Sequence, residues 1–531
     1  MRKVRIESFD RSCLRMSRVI LPVTPVIGLR LAFFTQITLH TLTIRATSHS
    51  LISIPVKAMT MSNFTDQLDT SAVNIATSRN PATDELIATY AFQTTKEVEC
   101  LLDDNAAAFR LWRATPMRER VAAYYRLSAT LRERSDSLSS LITAEMGKTI
   151  GAARAEVEKC AATIEWIAEH GPAIVADEPV SVDSDDEVYV SYLPIGTVLA
   201  VMPWNFPLWQ VVRASGPIML SGNGFLLKHA PNVMGSAYAL QEAYEAAGFP
   251  KGLFANLNTD NETVARTIAD DRVAAVTLTG SMRAGAAVAA TAGRALKKSL
   301  LELGGADAFI VLANANIDLA VRAGIEARFQ NAGQVCLAAK RFILEKPIAK
   351  EFTQKFVAAA KQVKAGDPFD PESTIGPMAR RDLRDELHLQ VERTVAAGAM
   401  LLLGGKKIEG IGNFYEPTVI AGVTPGMAAF DEETFGPVAA ITAADNAEHA
   451  IELANTSDYG LGGSLWTNDI SRAQRIARRL GTGGVFINGY PASNARIPVG
   501  GVKKSGYGRE LSHFGLREFT NAQAVWTRAV D

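Results

Sequence analysis

Apolar positions follow two rhythms along this chain. Over 95–110, 117–143 and 145–170 they recur every three or four residues, the spacing of helices with one buried face. Thr95 stands where an N-cap belongs, with Glu97 and Glu99 in the first turn. Ahead of these, Asn80-Pro81-Ala82-Thr83-Asp84 is a turn between strand-like flanks. Residues 187–193 alternate (Val188, Val190, Tyr192) and predict a strand, preceded by the acidic loop 183–186. Pro194-Ile195-Gly196 breaks it, and the apolar run 197–202 predicts a buried strand. Strand, turn and helix then repeat, with strands at 224–228, 253–257, 274–279 and 309–312 and a helix at 236–247. Such alternation predicts an α/β fold of doubly wound sheets.

Composition narrows the class. A chain of 531 residues is too long for one hydrophobic core, so two or more domains are expected. Its net charge of -1 gives no field that attracts nucleic acid or an anionic membrane. Four cysteines, Cys13, Cys100, Cys160 and Cys336, are too few for a disulfide framework and fit a reducing, cytoplasmic compartment. No Cys or His spacing suggests a metal site, and no apolar run reaches the roughly 20 residues of a membrane helix. Residues 1–60 differ from the rest: basic, rich in Ser and Thr, with only Glu7 and Asp10 as acids up to Met59. A start codon placed too early, an organelle-targeting segment and an accessory segment all fit that composition. In each case the segment is expected to be poorly ordered and outside the catalytic machinery.

Candidate chemistry centres on Asn331-Ala332-Gly333-Gln334-Val335-Cys336, between an amphipathic run (319–330) and a strand-like run (341–344). A thiolate attacks carbonyl carbon well, although most free cysteines are simply small buried hydrophobes. Three segments favour the chemical reading. Pro203-Trp204-Asn205-Phe206-Pro207 follows the strand ending at Met202 and is a rigid cradle from which Asn205 can donate to an oxyanion. Leu278-Thr279-Gly280-Ser281 closes a strand ahead of a helix containing Gly285, a place where phosphate approaches backbone amides. Leu301-Glu302-Leu303-Gly304-Gly305 sets a carboxylate among apolar residues, where desolvation raises its pKa towards that of a useful general base.

With Glu432 to Val438 (EETFGPV) and Pro498 to Glu510 (PVGGVKKSGYGRE), these segments resemble the NAD(P)-dependent aldehyde dehydrogenase superfamily, and within it the succinate-semialdehyde dehydrogenase group in its shorter bacterial form. The resemblance runs from about Ile75 to Trp526. It implies that Cys336 attacks the aldehyde, that Asn205 and the Cys336 amide hold the oxyanion, that the nicotinamide of NAD or NADP accepts hydride, and that Glu302 activates water against the thioester. It implies cofactor contacts at Trp204, Asn205, Lys228, His229, Ala230, Pro231, Gly280, Ser281, Leu303, Glu433 and Phe435. It also implies two doubly wound α/β domains plus a small β oligomerisation element. These are a cofactor domain (61–175 and 195–304), a catalytic domain (305–504) and an oligomerisation element (176–194 and 505–531). A free edge at 188–193 is then expected to pair with another subunit in a homodimer or homotetramer.

The sequence departs from the resemblance in places. Pro231 stands where many NAD-preferring relatives carry Glu, which removes a carboxylate that would repel a 2′-phosphate. Of two arginines that hold a substrate carboxylate in relatives, one falls on Arg213 and the other on neutral Gln330. Ser493 falls near a substrate hydroxyl position, and Arg496 is a candidate for the missing cation. Leu337 and Ala338 leave no second cysteine beside Cys336. The resemblance implies oxidation of succinate semialdehyde; another short aliphatic or aromatic aldehyde and a non-enzymatic structural member are the alternatives. A hydrolytic cysteine enzyme would need a histidine base, and His229 and His513 are the nearest candidates.

Overall fold

The structure, a computed structural model, describes residues 74–528. The basic segment 1–60 and the expectations attached to it lie outside the described residues. Two mostly parallel sheets dominate the fold. In the first, the strands run in the spatial order Gly506–Tyr507, Lys298–Glu302, Val273–Thr279, Thr197–Met202, Gly224–His229 and Phe254–Asn256. All pairings are parallel except that of the short Gly506–Tyr507 edge, so residues 506–507 belong to this sheet. The chain winds outward from Thr197–Met202 in one direction and then returns to its other side. The ends of Thr197–Met202 and Val273–Thr279 therefore form a topological switch point, where open α/β sheets bind ligands.

The second sheet runs Met400–Leu403, Thr418–Ala421, Val438–Ala444, Ala339–Glu345, Asp307–Val311, Gly462–Trp466 and Gly484–Ile487. Its sole antiparallel pairing is at the Met400–Leu403 edge. Each sheet has an apolar core on both faces, which is why its strands read as continuous apolar runs. Among the described residues no helix is long and apolar enough to cross a membrane.

A third sheet pairs Thr520–Thr527 with Glu187–Pro194, which also pairs with Glu178–Pro179. This corrects the expected free edge. Residues 188–193 are the centre of that sheet, and its edges are the two-residue strand Glu178–Pro179 and the long, largely exposed Thr520–Thr527, with Trp526 at 55% exposure.

The helices differ from the sequence reading in two ways. The run 117–143 is two helices, Met117–Glu133 and Ser135–Met146, broken at Arg134. The latter ends on left-handed Gly147, and the next helix is Ile150–Ile174 rather than one beginning at Glu145. The first helix, Thr95–Ala114, is capped by Thr94, not Thr95. The Thr94 Oγ1 accepts from the Glu97 amide at 3.3 Å, and Glu97 Oε2 accepts from the Thr94 amide at 2.8 Å. Glu97 is third in the helix only when Thr94 is the cap, which is the geometry of a capping box. Thr94→Ala is therefore expected to destabilise the fold by about 1 kcal/mol, and Thr95→Ala by less than about half of that. Thermal unfolding of the two variants compares them; equal shifts would place the cap elsewhere.

Candidate active site

Cys336 follows the helix Ile317–Phe329 and a tight turn, and precedes the strand Ala339–Glu345. The turn is built from three successive left-handed residues, Asn331 (φ 52°), Ala332 (φ 52°) and Gly333 (φ 72°). Two of them carry side chains, so the backbone stores strain of about 1–2 kcal/mol at each. Fully buried Arg328 holds the turn down, donating to the carbonyls of Gly333 at 2.7 Å and Gly436 at 2.8 Å. On the other side, the Lys340 ammonium donates to the carbonyls of Val335 at 2.9 Å and Cys336 at 2.7 Å and pairs with Glu433 at 3.3 Å. Cys336 keeps partial solvent access. Burial pushes its thiol up to about 11, and the cations of Arg213 and Lys340 act in the opposite direction.

Two bonds join this turn to Pro203-Trp204-Asn205-Phe206-Pro207. Asn331 Nδ2 donates to the Asn205 carbonyl at 2.9 Å, and Asn205 Nδ2 donates to the Gln334 carbonyl at 3.1 Å. A primary amide has two N–H groups, so Asn205 keeps one for a ligand beside Cys336. The Pro203–Pro207 segment is itself clamped from the helix Ile150–Ile174. Glu156 accepts from the amides of Leu208 and Trp209, each at 2.9 Å, and so caps the helix Trp209–Leu220. Glu156 pairs with buried Lys148, whose ammonium lies 3.7 Å from the Phe206 ring centroid.

Glu302 ends its strand in the linker to the second sheet, 2% exposed. Gly304 and Gly305 bring that linker against its neighbours. A Cβ at Gly304 would overlap the Glu433 carboxylate, and one at Gly305 would stand 2.8 Å from the Cys336 carbonyl oxygen. Arg213 lies between two carboxylates, ion-paired to Glu510 and 3.8 Å from Glu302. Burial raises Glu302 to about 7 and also raises Glu510, while Arg213 counters both. Burial works against the charge of Arg213, but Glu510 and Glu302 outweigh it and raise its pKa.

The residues expected to meet the cofactor line the switch point. Trp204 packs edge-on to Phe435 with ring centroids 5.8 Å apart. Ser281 caps the 13-residue helix Met282–Arg294, whose first turn is exposed, with Gly280 just before it. Leu303 is buried behind that helix, where a Cβ on Gly285 would strike its side chain. Lys228 is pushed down to about 8 by burial, and its ammonium donates to the His229 carbonyl at 3.0 Å. Pro231 is exposed at the start of a 3-10 turn after Ala230. A desolvated ammonium, an open helix N-terminus and a glycine cradle against Glu433 fit a dinucleotide. His229 is a correction. Its ring is buried and pushed down to about 4, hence neutral; the Ala230 amide donates to Nδ1, so Nε2 carries the proton and donates to the Pro207 carbonyl at 2.9 Å. The side chain is committed to the turn and is not free for a nucleotide or for acid–base work.

At the far end of the site the expectations again shift. Arg213 is not a free guanidinium, since two carboxylates already flank it. Arg496 is exposed and makes no ion pair among the described residues. Ser493 instead accepts from the Lys159 ammonium at 2.7 Å, and that ammonium lies 4.2 Å from the Trp209 ring centroid.

A sequence model of the Aldehyde dehydrogenase family matches residues 69–525. The chain belongs to the aldehyde dehydrogenase family. The succinate semialdehyde dehydrogenase [NAD(P)+] Sad of Escherichia coli (strain K12) is 57% identical over 451 residues, 85% of this chain and 97% of that protein. The succinate-semialdehyde dehydrogenase [NADP(+)] 1 of Mycobacterium tuberculosis (strain H37Rv) is 44% identical over 84% of this chain and 98% of its own. Among solved structures, succinic semialdehyde dehydrogenase from Streptococcus pyogenes, in complex with NADP+, superimposes with a TM-score of 0.83. It is 36% identical, covering 85% of this chain and 99% of that one.

This aldehyde dehydrogenase site contains residues that sequence reasoning missed: Arg328, Lys340, Glu510, Lys148, Glu156 and Lys159. Only Glu510 lay within a quoted motif; for Arg328, Lys340, Glu156 and Lys159 the signal is a charged residue on an otherwise apolar helix or strand face, and Lys148 stands in the loop before the helix Ile150–Ile174. The turn itself is open to test. Gly333→Ala adds a Cβ against the Gly436 carbonyl in left-handed backbone and is expected to destabilise by more than about 1 kcal/mol and to lower turnover. Ala332→Gly relieves strain and is expected to raise the melting temperature. Thermal unfolding of both variants decides, and the same response from each would show an unstrained turn.

Proposed function

We propose that this protein oxidises succinate semialdehyde to succinate with NAD or NADP, through a thiohemiacetal and a thioester on Cys336. The observation that carries the reading is the convergence of Cys336, Asn205 and Glu302 from loops of two sheets: Asn205 is bonded to the turn that carries Cys336, and Glu302 lies near enough to act on its thiol. The substrate follows from the 57% identity to a succinate semialdehyde dehydrogenase. Lys228, Glu433, Trp204, Phe435 and the Gly280-Ser281 turn would hold the cofactor, which, when bound, accepts the hydride of the aldehyde.

The chain supplies the rest. The strained turn presents Cys336 Sγ to the carbonyl carbon, and Arg213 and Lys340 favour its thiolate. The free N–H of Asn205 and the Cys336 amide donate to the oxygen that gains charge. Glu302, raised to about 7, is about half ionised at neutral pH, and its Oε1 is buried without a protein partner. That oxygen takes the proton of the water that attacks the thioester. The free edge Thr520–Thr527 with its exposed Trp526 supports a homodimer or homotetramer built on this strand. A neutral short aldehyde is the second reading, favoured by the two carboxylates that already neutralise Arg213.

Cys336→Ala is expected to abolish aldehyde oxidation while cofactor binding persists; residual turnover in pure protein would refute the covalent route. In Glu302→Gln a pre-steady-state burst of about one reduced cofactor per site is expected, followed by slow turnover. In the unaltered protein kcat should rise with pH through about 7, as Glu302 becomes able to accept a proton, and Glu302→Gln should lose that limb. A Glu302→Gln variant with neither burst nor altered profile would remove Glu302 from the deacylation step.

Pro231→Glu is expected to impair NADP more than NAD, because a carboxylate there would repel a 2′-phosphate. With proline, discrimination between the two should be on the order of 1–2 kcal/mol in kcat/KM. Equal impairment of both cofactors would show that residue 231 does not face the ribose.

A further inference from the structure

We propose that Lys159, with Ser493 beside it, is the cation that receives the distal carboxylate of the aldehyde, an inference that rests on the substrate reading above. Trp209 is the first residue of the helix Trp209–Leu220, four residues after Asn205 and four before Arg213. Residues four apart share one helix face, so Trp209 and Arg213 line the same side. Lys159 reaches that side from the neighbouring helix Ile150–Ile174, its ammonium 4.2 Å from the Trp209 ring centroid and 2.7 Å from Ser493 Oγ.

The surroundings of this ammonium lack an anion. Among the described residues Lys159 makes no ion pair with a carboxylate. Glu156, one turn earlier, is committed to Lys148 and to the amides of Leu208 and Trp209. The charged and titratable groups around it are Arg213 on the facing helix, Cys160 and Glu156 on its own helix, and Lys148 just before that helix. Two of the four are cations. An ammonium has three donors; Ser493 uses one and the ring face occupies another direction, so at least one remains. Burial, followed by Arg213, holds its pKa down at about 8, the behaviour of a cation short of a counter-charge. Lys159 is half-buried, so its ammonium keeps an opening through which a ligand can reach it. A carboxylate on a short aliphatic chain, entering with its aldehyde at Cys336, supplies the missing anion. Arg213 serves this less well, because Glu510 and Glu302 have already claimed it.

The test compares kcat/KM for succinate semialdehyde with that for butanal, in the unaltered protein, Lys159→Met and Lys159→Arg. The unaltered protein should prefer the carboxylated aldehyde. Lys159→Met should lower the ratio roughly 10-fold or more, chiefly through KM, as expected for loss of a charge-assisted bond. Lys159→Arg should retain more of the ratio than Lys159→Met. A readout that needs no variant is the pH dependence of the ratio. It should fall as pH rises through about 8, where the Lys159 ammonium loses its proton, whereas titration of Glu302 and Cys336 affects both substrates and cancels. A protein that turns over butanal as well as succinate semialdehyde refutes the substrate reading. A protein that discriminates, and still discriminates after Lys159→Met or with a ratio flat across pH 8, refutes the role of Lys159 and leaves the substrate reading standing.

Discussion

Three ionisable side chains buried at one point set the chemistry of this molecule. Arg213, Glu302 and Glu510 are each at most 4% exposed, and they come from three separate parts of the chain. One guanidinium can offset one carboxylate in a dry site; a second carboxylate then holds its proton more tightly. The elevated pKa of Glu302 thus depends on having a carboxylate competitor as well as on desolvation. Glu510 reaches this point because its backbone bridges that of Val499, so the C-terminal segment helps to tune the base. That segment also holds the Glu302 linker directly: the Leu303 amide donates to the Ser505 carbonyl at 3.0 Å, and Ser505 Oγ donates to the Gly304 carbonyl at 2.6 Å.

The nucleophile is fixed by a different means. Its turn is held in left-handed backbone by Arg328 from below and Lys340 from the side, both through carbonyl groups. Charged donors to main-chain oxygens fix a loop without competing for the thiol. Of the two, Lys340 also acts on the thiol itself: with Arg213 it opposes the effect of burial on Cys336. Position and reactivity of the thiol are therefore set together.

Much of this was legible in the sequence, and the exceptions have physical causes. The strand ends at Met202, Thr279 and Glu302, and the residues that follow them, were found because buried parallel strands write continuous apolar runs. Helix limits at Arg134 and Gly147 were missed because apolar spacing persists across the breaks, and a single left-handed glycine ends a helix without disturbing composition. His229 looked like a nucleotide contact because it follows Lys228, but strand alternation turns its ring inward. Lys159, Lys340 and Arg328 were overlooked because their partners are far along the chain or are carbonyl groups that no residue type announces. Ser493, the partner of Lys159, is 334 residues away.

The helix Ile150–Ile174 ties these features together. Glu156 and Lys159 are three residues apart, hence on one face. Glu156 caps the helix that follows Pro207 and so fixes the turn carrying Asn205, while Lys159 faces Ser493 and Trp209. One rigid element thus sets the distance between the oxyanion donor and the cation at the far end of the pocket. A substrate that fills both positions has its carbonyl oriented by its own tail, and binding energy remote from the reacting carbon is spent on alignment. An aldehyde of the wrong length or without a distal charge can still reach Cys336, but it arrives without that alignment. Selectivity here is then a property of the spacing between two groups on one helix, more than of any single contact with the aldehyde.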